Sequence, residues 1–569
     1  MALTPKTDCP RALFYRSTGE STDTDGTTLF FGSVGMFGIR DVTNAADESS
    51  RLKDSARGRA TGLGCIGLLL TLLAASMSSG CTSLSQWWAN GFKVGPNYAA
   101  PQAVVSESWE STNAPGIRGD QEPLAAWWTQ FNDSALDALV QTAVEQNLDL
   151  RTAGHRLLAV QAERNVAVGN LLPDARAVGA YSHAQISKNL PAVGLGTLFD
   201  FFAVGPLAAS WEIEFWGKNR RAIESAEAEL GASQEDCRNV QVLLVSDVAA
   251  SYVQLRGHQQ RIEFARVNVQ IHQESLKLAQ ERFQNGFTTE LDVQQAKAGL
   301  AESEAVLPQL DTGLRQASHR LCILLGSPPG DISTRIGTGP IPTAPTELAV
   351  GIPADLLLRR PDVRRAERQV ASQCAQIGVA EADLYPSLQL LGFVGYTSNS
   401  SGTLFTSPSF TGIIAPVLQW KIFNYYKIKN NVRKQEALLD ARITDYQQTV
   451  LKAHGEVEDA LVGFVNSGKQ AARLGESVAA ARISVELVLG QYREGKVDFN
   501  RVQQAQATLV KQQDQLAVAN MESILSLIRV YRGLAGGWEA LCEDSQAAHA
   551  DVPAAPAVPA GAAMNPGGS

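Results

Sequence analysis

Proline is absent from two long stretches, Leu207–Leu307 and Val417–Val552. It costs about 3 kcal/mol inside a helix, so gaps of this size are what very long helices need. After Cys81 no run reaches 18 apolar residues, which excludes a membrane-spanning helix there. Methionine occurs five times and gives a soft-metal pathway no support. The seven histidines are scattered, with no His-Glu-x-x-His on a helix. Cys237, Cys322, Cys374 and Cys542 lack metal-ligand or Cys-x-x-Cys spacing and read as thiols, with disulfides as the other reading. A net charge of −9 and a pI near 5.5 exclude the electrostatic footprint of a nucleic-acid binder. No convergent acid, base or metal groups suggest an enzyme, and no cofactor is implied.

What is present is a duplication. Residues 283–300 and 492–509, offset by 209, share Gly286/Gly495, Val293/Val502, Gln294/Gln503, Gln295/Gln504, Ala296/Ala505, Ala298/Ala507 and Leu300/Leu509. These are seven identities in 18 positions, where unrelated segments would share roughly one. At an offset of 213, Asp149, Arg151, Ala153, Leu171 and Pro173 return as Asp362, Arg364, Ala366, Leu384 and Pro386. One structural unit therefore occurs twice.

The proline gaps predict helices over Gly217–Arg282 and Tyr426–Tyr492, each roughly 65 residues or about 100 Å long. In the second, Leu439, Ile443, Tyr446, Val450, Ala453, Val457, Ala460 and Phe464 step by four and three. That is a coiled-coil period, although a plain helical bundle would share it. Gly286 and Gly495 suit the left-handed residue past a helix end. Thr288, Thr289 and Asp498 can cap the helix that follows. Each half thus carries a helix hairpin, with tips at 285–289 and 494–498 and second arms running to about Leu325 and Leu534. Pro308 interrupts only the first second arm, where a kink is expected. Arg359-Arg360-Pro361-Asp362 reads as a helix start with Pro at the first position.

Strands precede the long helices. Leu388, Leu390, Val394 and Tyr396 share one face, and Leu418, Trp420 and Ile422 alternate with Gln419 and Lys421. Weaker counterparts span 174–186 and 203–213. Strands of about ten residues cross a bilayer when tilted, and a soluble hairpin gives a similar pattern. In lipid only helices and closed barrels satisfy their backbone. Four strands cannot close a barrel when the smallest have about eight, so several copies are expected to combine.

Residues 51–81 read as a targeting segment: Arg51, Lys53, Arg57 and Arg59, then an apolar run over Gly62–Ala75, then Ser78-Ser79-Gly80-Cys81. The last four resemble a lipoprotein cleavage box, with Ser78 where Leu is usual, so lipidation is expected at Cys81, with an ordinary signal peptide and an incidental Cys as the other reading. Thr82 rather than an acidic residue fits outer-membrane sorting. Residues 1–50, ahead of the signal, suggest a start codon assigned too early. The expected organisation is 1–80 extension and signal peptide, 81–135 N-terminal linker and equatorial segment, 136–330 first repeat, 331–540 second repeat and 541–569 disordered tail.

Several short motifs lie in order around the duplication: Val94-Gly95-Pro96-Asn97-Tyr98, Trp127-Trp128, Asn147-Leu148-Asp149-Leu150, and Trp211-Glu212-Ile213-Glu214 with Trp216-Gly217. Leu324-Leu325-Gly326, Leu358-Arg359-Arg360-Pro361-Asp362, Glu456-Val457-Glu458-Asp459-Ala460-Leu461 and Gly536-Gly537-Trp538 follow. With these the chain resembles the TolC-like outer-membrane efflux proteins, in their lipoprotein (NodT-type) branch. The resemblance implies a mainly α, mixed fold in which three copies share one transmembrane β-barrel, continued by an α-helical periplasmic tunnel. It implies a passive duct for small molecules, supplied by an inner-membrane resistance-nodulation-division pump through a periplasmic adaptor. The alternative is an exit duct for secreted proteins. It further implies a palmitate-bearing Cys81 held in outer-membrane lipid, and adaptor contacts at Asn285, Gly286, Phe287, Thr288 and Thr289 and at Glu494, Gly495, Lys496, Val497 and Asp498. A gate is implied near Asp292, Tyr492, Arg501 and Gln504, although Arg501 and Gln504 stand where the family often carries acidic residues; an Asp292–Arg501 contact is one reading and an ordinary solvated helix face is the other.

Overall fold

The computed structural model describes residues 84–103, 105–106, 108–110, 117–118, 125–185, 198–343, 348–349 and 358–538. The targeting segment, Cys81, Cys542 and the 541–569 tail lie outside the described residues.

A short helix α1 (Leu84–Ala89) leads into an extended strap. Strand β1 (Ile117–Arg118) and a 3-10 turn (Trp127–Phe131) follow. Each repeat then runs helix, two strands, long helix, tip, second arm. In the first these are α2 (Ser134–Gln146) and α3 (Leu148–Gly169), β2 (Asp174–Gln185), β3 (Leu198–Ile213), α4 (Lys218–Gln284) and α5 (Glu290–Leu324). After α6 (Ser333–Ile336) and β4 (Leu348–Ala349) the second has α7 (Pro361–Ala382), β5 (Ser387–Ser398), β6 (Phe410–Gln419), α8 (Lys427–Arg493) and α9 (Phe499–Gly533).

Both long helices have 67 residues, matching the proline gaps. The expected seam on α8 is buried at Tyr446, Val450, Ala453, Val457 and Ala460, with Leu439, Ile443 and Phe464 packed beside it. Burying each valine contributes about 1.5–3 kcal/mol, and the alanines let the helices approach. Helix α5 continues through Pro308 without ending. The main core lies where the hairpin helices meet α2, α7 and the 3-10 turn. There Trp127 stacks on Tyr531 at 5.0 Å, and Val245, Leu255, Leu321 and Leu527 are fully buried.

The same clamp closes both repeats. Asn147, which precedes α3, donates its side-chain amide to the Leu324 carbonyl at 2.8 Å. Arg360, which precedes α7, donates Nη1 to the Gly533 carbonyl at 2.9 Å. Leu324 and Gly533 are the last residues of α5 and α9, so each clamp fills an orphan helix-end acceptor. Arg360 is buried and also pairs with Asp362 and Glu456. Pro361 takes the first helical position, as expected.

The four long strands form one antiparallel sheet in the order β2-β3-β5-β6. The β3–β5 ladder, from Phe202↔Ser398 to Ile213↔Leu388, joins the two repeats. Among the described residues β2 and β6 each have one edge without a partner strand. Two expectations are corrected. The second strand begins at Leu198, not 203, because β2 pairs with it up to Gln185↔Leu198. The fourth ends at Gln419, leaving Trp420 and Ile422 beyond it, because β5 supplies no residue past Ser387 to pair with them. Among the described residues no disulfide forms; Cys322 and Cys374 are buried thiols and Cys237 is half-buried.

Candidate functional site

The hairpin tips share one backbone design. Gly286 (φ +76°) donates its N–H to the Phe283 carbonyl at 3.0 Å, and Phe287 donates to Arg282 at 2.9 Å. Gly495 (φ +77°) donates to Tyr492 at 3.0 Å, and Lys496 to Gln491 at 2.9 Å. A side chain at either glycine would strain this left-handed exit. Asn285 adds a side-chain bond to the Glu281 carbonyl. The caps that follow differ. The Asp498 carboxylate accepts the Arg501 N–H at 3.2 Å, whereas Thr289 makes no side-chain cap and Thr288 turns its hydroxyl to Asp292.

The surfaces of the tips are unlike. The first exposes Phe283, Phe287 and Leu291, with Phe287 72% exposed. The second carries a Glu494–Lys496 ion pair, and Val497 packs half-buried against its small core.

A polar link ties the two tips together. Tyr492 is only 2% exposed, and its hydroxyl donates to Asp292 at 3.0 Å. Burial raises the pKa of this phenol, and Asp292 adds to the rise, so it stays a donor at neutral pH. Arg282 lies over the Tyr492 ring at 4.9 Å and donates to the Arg493 carbonyl at 2.7 Å. Ala279, Ala296, Phe499 and Val502 complete this end core. Within the chain Asp292 therefore meets Tyr492 and Thr288, and no ion pair joins it to Arg501. Arg501 and Gln504 are exposed. Arg282 escaped the sequence reading because its repeat counterpart is Gln491, so the duplication gives no signal there.

The sheet presents aromatic side chains at both ends. Near the strand-to-strand loops, Tyr181 packs on Phe202 at 4.8 Å, and Tyr396 on Phe405 and Phe410. At the helical end, Trp211 donates its indole N–H to the Leu171 carbonyl at 2.9 Å, and Trp420 donates to Leu384 at 3.0 Å. Exposed Ile413, Ile414, Val417 and Leu418 lie between these ends. Two aromatic girdles flanking an apolar band are the signature of strands that cross a bilayer. Among the described residues no helix is long and apolar enough to span a membrane, and no His/Cys/Asp/Glu cluster could hold a metal.

The family model for outer membrane efflux proteins matches residues 139–327 and 352–536. The chain is 32% identical over 442 residues to Nodulation protein T of Rhizobium leguminosarum bv. trifolii, covering 76% of this chain and 92% of that one. It is 29% identical over 475 residues to the solvent efflux pump outer membrane protein SrpC of Pseudomonas putida, covering 82% and 98%. Among solved structures, the outer-membrane channel OprN superposes with a TM-score of 0.73 at 31% identity, over 78% of this chain and 99% of that one. The chain belongs to the outer membrane efflux protein family.

Proposed function

We propose that three copies of this chain form one outer-membrane duct through which small toxic or drug-like molecules leave the cell. The observation that carries this reading is a four-stranded sheet, bare at both edges among the described residues, mounted on two helix hairpins whose long arms have 67 residues each. Bare edges cannot remain in hydrocarbon. The β3–β5 joint between repeats offers the pattern for a joint between copies, β6 against the next copy's β2. Helices α3 and α7 support it: each has 22 residues, yet α7 buries eleven and α3 only Ala153. In this reading the next copy covers what α3 leaves bare. The two repeats at 136–330 and 331–540 then contribute alike to the wall, and Cys81 is the lipid anchor.

An inner-membrane resistance-nodulation-division transporter supplies the energy, and a periplasmic adaptor meets the tips at Asn285–Thr289 and Glu494–Asp498. Asp292 and Tyr492 form a latch at the tunnel's inner end, with Arg501 and Gln504 exposed beside it. The chain conducts and does not catalyse. Relatives carrying solvent and toluene efflux names support small molecules over secreted proteins as cargo.

The test combines Phe287→Asp with Lys496→Glu. Export is lost while heat-modifiable trimers persist in outer-membrane fractions; unchanged export removes the adaptor assignment, and absence of trimers removes the duct. Tyr492→Phe, which deletes one hydrogen bond worth about 0.5–1.5 kcal/mol, raises single-channel conductance in planar bilayers. Unaltered conductance would sink the latch.

A further inference from the structure

The strap after α1 is bound tightly to the first strand-to-helix junction, yet it holds a large aromatic side chain out in the open. Arg220 donates to the Gly91 carbonyl at 2.8 Å and the Phe92 carbonyl at 2.9 Å. The Trp87 indole donates to the Phe215 carbonyl at 3.1 Å, and the Val94 N–H to the Trp216 carbonyl at 3.1 Å. Lys93 pairs with Glu224, while Arg221 holds the Val94 and Gly95 carbonyls. On this fixed base Trp87 and Trp88 both pack edge-on against Phe92, at 4.8 and 5.0 Å. Trp88 is nonetheless 70% exposed.

The second repeat shows what that position needs. At the offset of 209, Trp211, Trp216 and Gly217 correspond to Trp420, Tyr425 and Tyr426. Among the described residues no strap covers this second junction, and it exposes Phe423 (92%), Tyr425 (95%) and Tyr426 of its own. The first junction has Glu214 and Phe215 where the second has Phe423 and Asn424. Two equivalent places thus present exposed aromatic groups by different means, one from the chain itself and one from an added segment. Both adjoin the helical end of the sheet, beside Trp211 and Trp420. Amphipathic rings at that level favour the boundary between headgroups and acyl chains.

We propose that Trp87, Trp88 and Phe92 form a membrane foot, with Trp88 seated among phospholipids of the leaflet on the helical side. This rests on the reading of the sheet as membrane-spanning. Trp88 lies seven residues after Cys81, a reach of at most about 24 Å. A lipid on Cys81 and the indole of Trp88 would therefore enter the same leaflet close together. The foot orients the tether against the wall, and Arg220 transmits that orientation to the start of α4.

The test uses the full chain, reconstituted as trimers in phosphatidylcholine vesicles whose acyl chains carry bromine at a shallow or a deep position. The difference in tryptophan emission between the native chain and Trp88→Phe isolates Trp88. Shallow bromines reduce that difference about twofold and deep bromines leave it nearly intact. Quenching by aqueous iodide with no effect of bromine, or indifference to both, overturns the foot; indifference to both would mean that a neighbouring copy covers the indole. Ile414→Trp is the separate control for the sheet. If deep bromines quench its added emission while Trp88 ignores bromine, the foot alone falls. If neither responds to bromine, the membrane-spanning sheet falls with it.

Discussion

The two repeats use one backbone plan with different side chains, and the differences mark what each copy of the plan must face. Asn147 and Arg360 grip equivalent carbonyls, but only Arg360 brings a buried charge and two carboxylate partners. Gly217 and Tyr426 both precede a long helix with positive φ, +73° and +61°. The strap explains the first: a Cβ on Gly217 would lie 2.7 Å from Cγ and 2.9 Å from Cα of Lys93. Among the described residues no strap crowds Tyr426, which is 71% exposed, so there a side chain fits in space, though not without backbone strain. Shared geometry thus reports the fold, and unshared chemistry reports local surroundings.

The sharpest way to break this comparison is at the clamps. Arg360→Ala removes the partner of the largely buried Asp362, and a loss of about 3–5 kcal/mol is expected. Asn147→Ala costs about 1 kcal/mol. Thermal unfolding of the detergent-solubilised protein, followed by circular dichroism, would rank them. Equal losses would mean that the carbonyl grip matters and the ion pairs do not.

Next come the helix starts. Gly217→Ala is expected to destabilise by about 1–3 kcal/mol, through its left-handed backbone and the collision with Lys93. Tyr426→Gly should be neutral or slightly stabilising in the same assay. A matching loss at both sites would show that the strap is not what demands glycine.

The smallest effect concerns pH. His258 and His272 lie on α4 against Gly313 and Gly299 of α5, two heptads apart. Their counterparts in the second hairpin are Ser467 and Ala481. Burial lowers both histidine pKa values; Arg261 lowers that of His258 further, and Glu302 opposes the shift at His272. A base whose folded pKa is depressed binds protons more readily when unfolded, so its stabilisation is full above about pH 6.5 and falls as pH drops. Between pH 7 and pH 5, amide exchange should accelerate in the first hairpin more than in the second. His272→Gln should reduce that difference, and an equal response in both hairpins would discard the idea.

What the sequence revealed was what is written locally or periodically. Proline gaps marked both 67-residue helices, glycines marked both tips, and the four-three spacing marked the buried seam of α8. The Asp292–Arg501 pair was an inference across space, where a nearer donor, Tyr492, already satisfies Asp292. Arg360 looked like a helix start and is one, yet its reach to Gly533 depends on packing between segments 173 residues apart. Trp420 and Ile422 kept strand alternation beyond the last residue that β5 can pair, so pattern outran hydrogen bonding there. The strap's grip on α4 left no trace, because Arg220 and Arg221 look like ordinary surface charges until the strap is laid over them.

The unpaired margins of β2 and β6 also bear on how the protein is made. If copies assemble as proposed, a newly exported subunit would carry two sticky borders and a greasy face before it meets its siblings, and would resemble a misfolding substrate to the cell's proteases and holdases. Delivery must then be timed to recruitment, and overproduction without matching insertion capacity would fill the periplasm with clumped, degradable material rather than with more outlets.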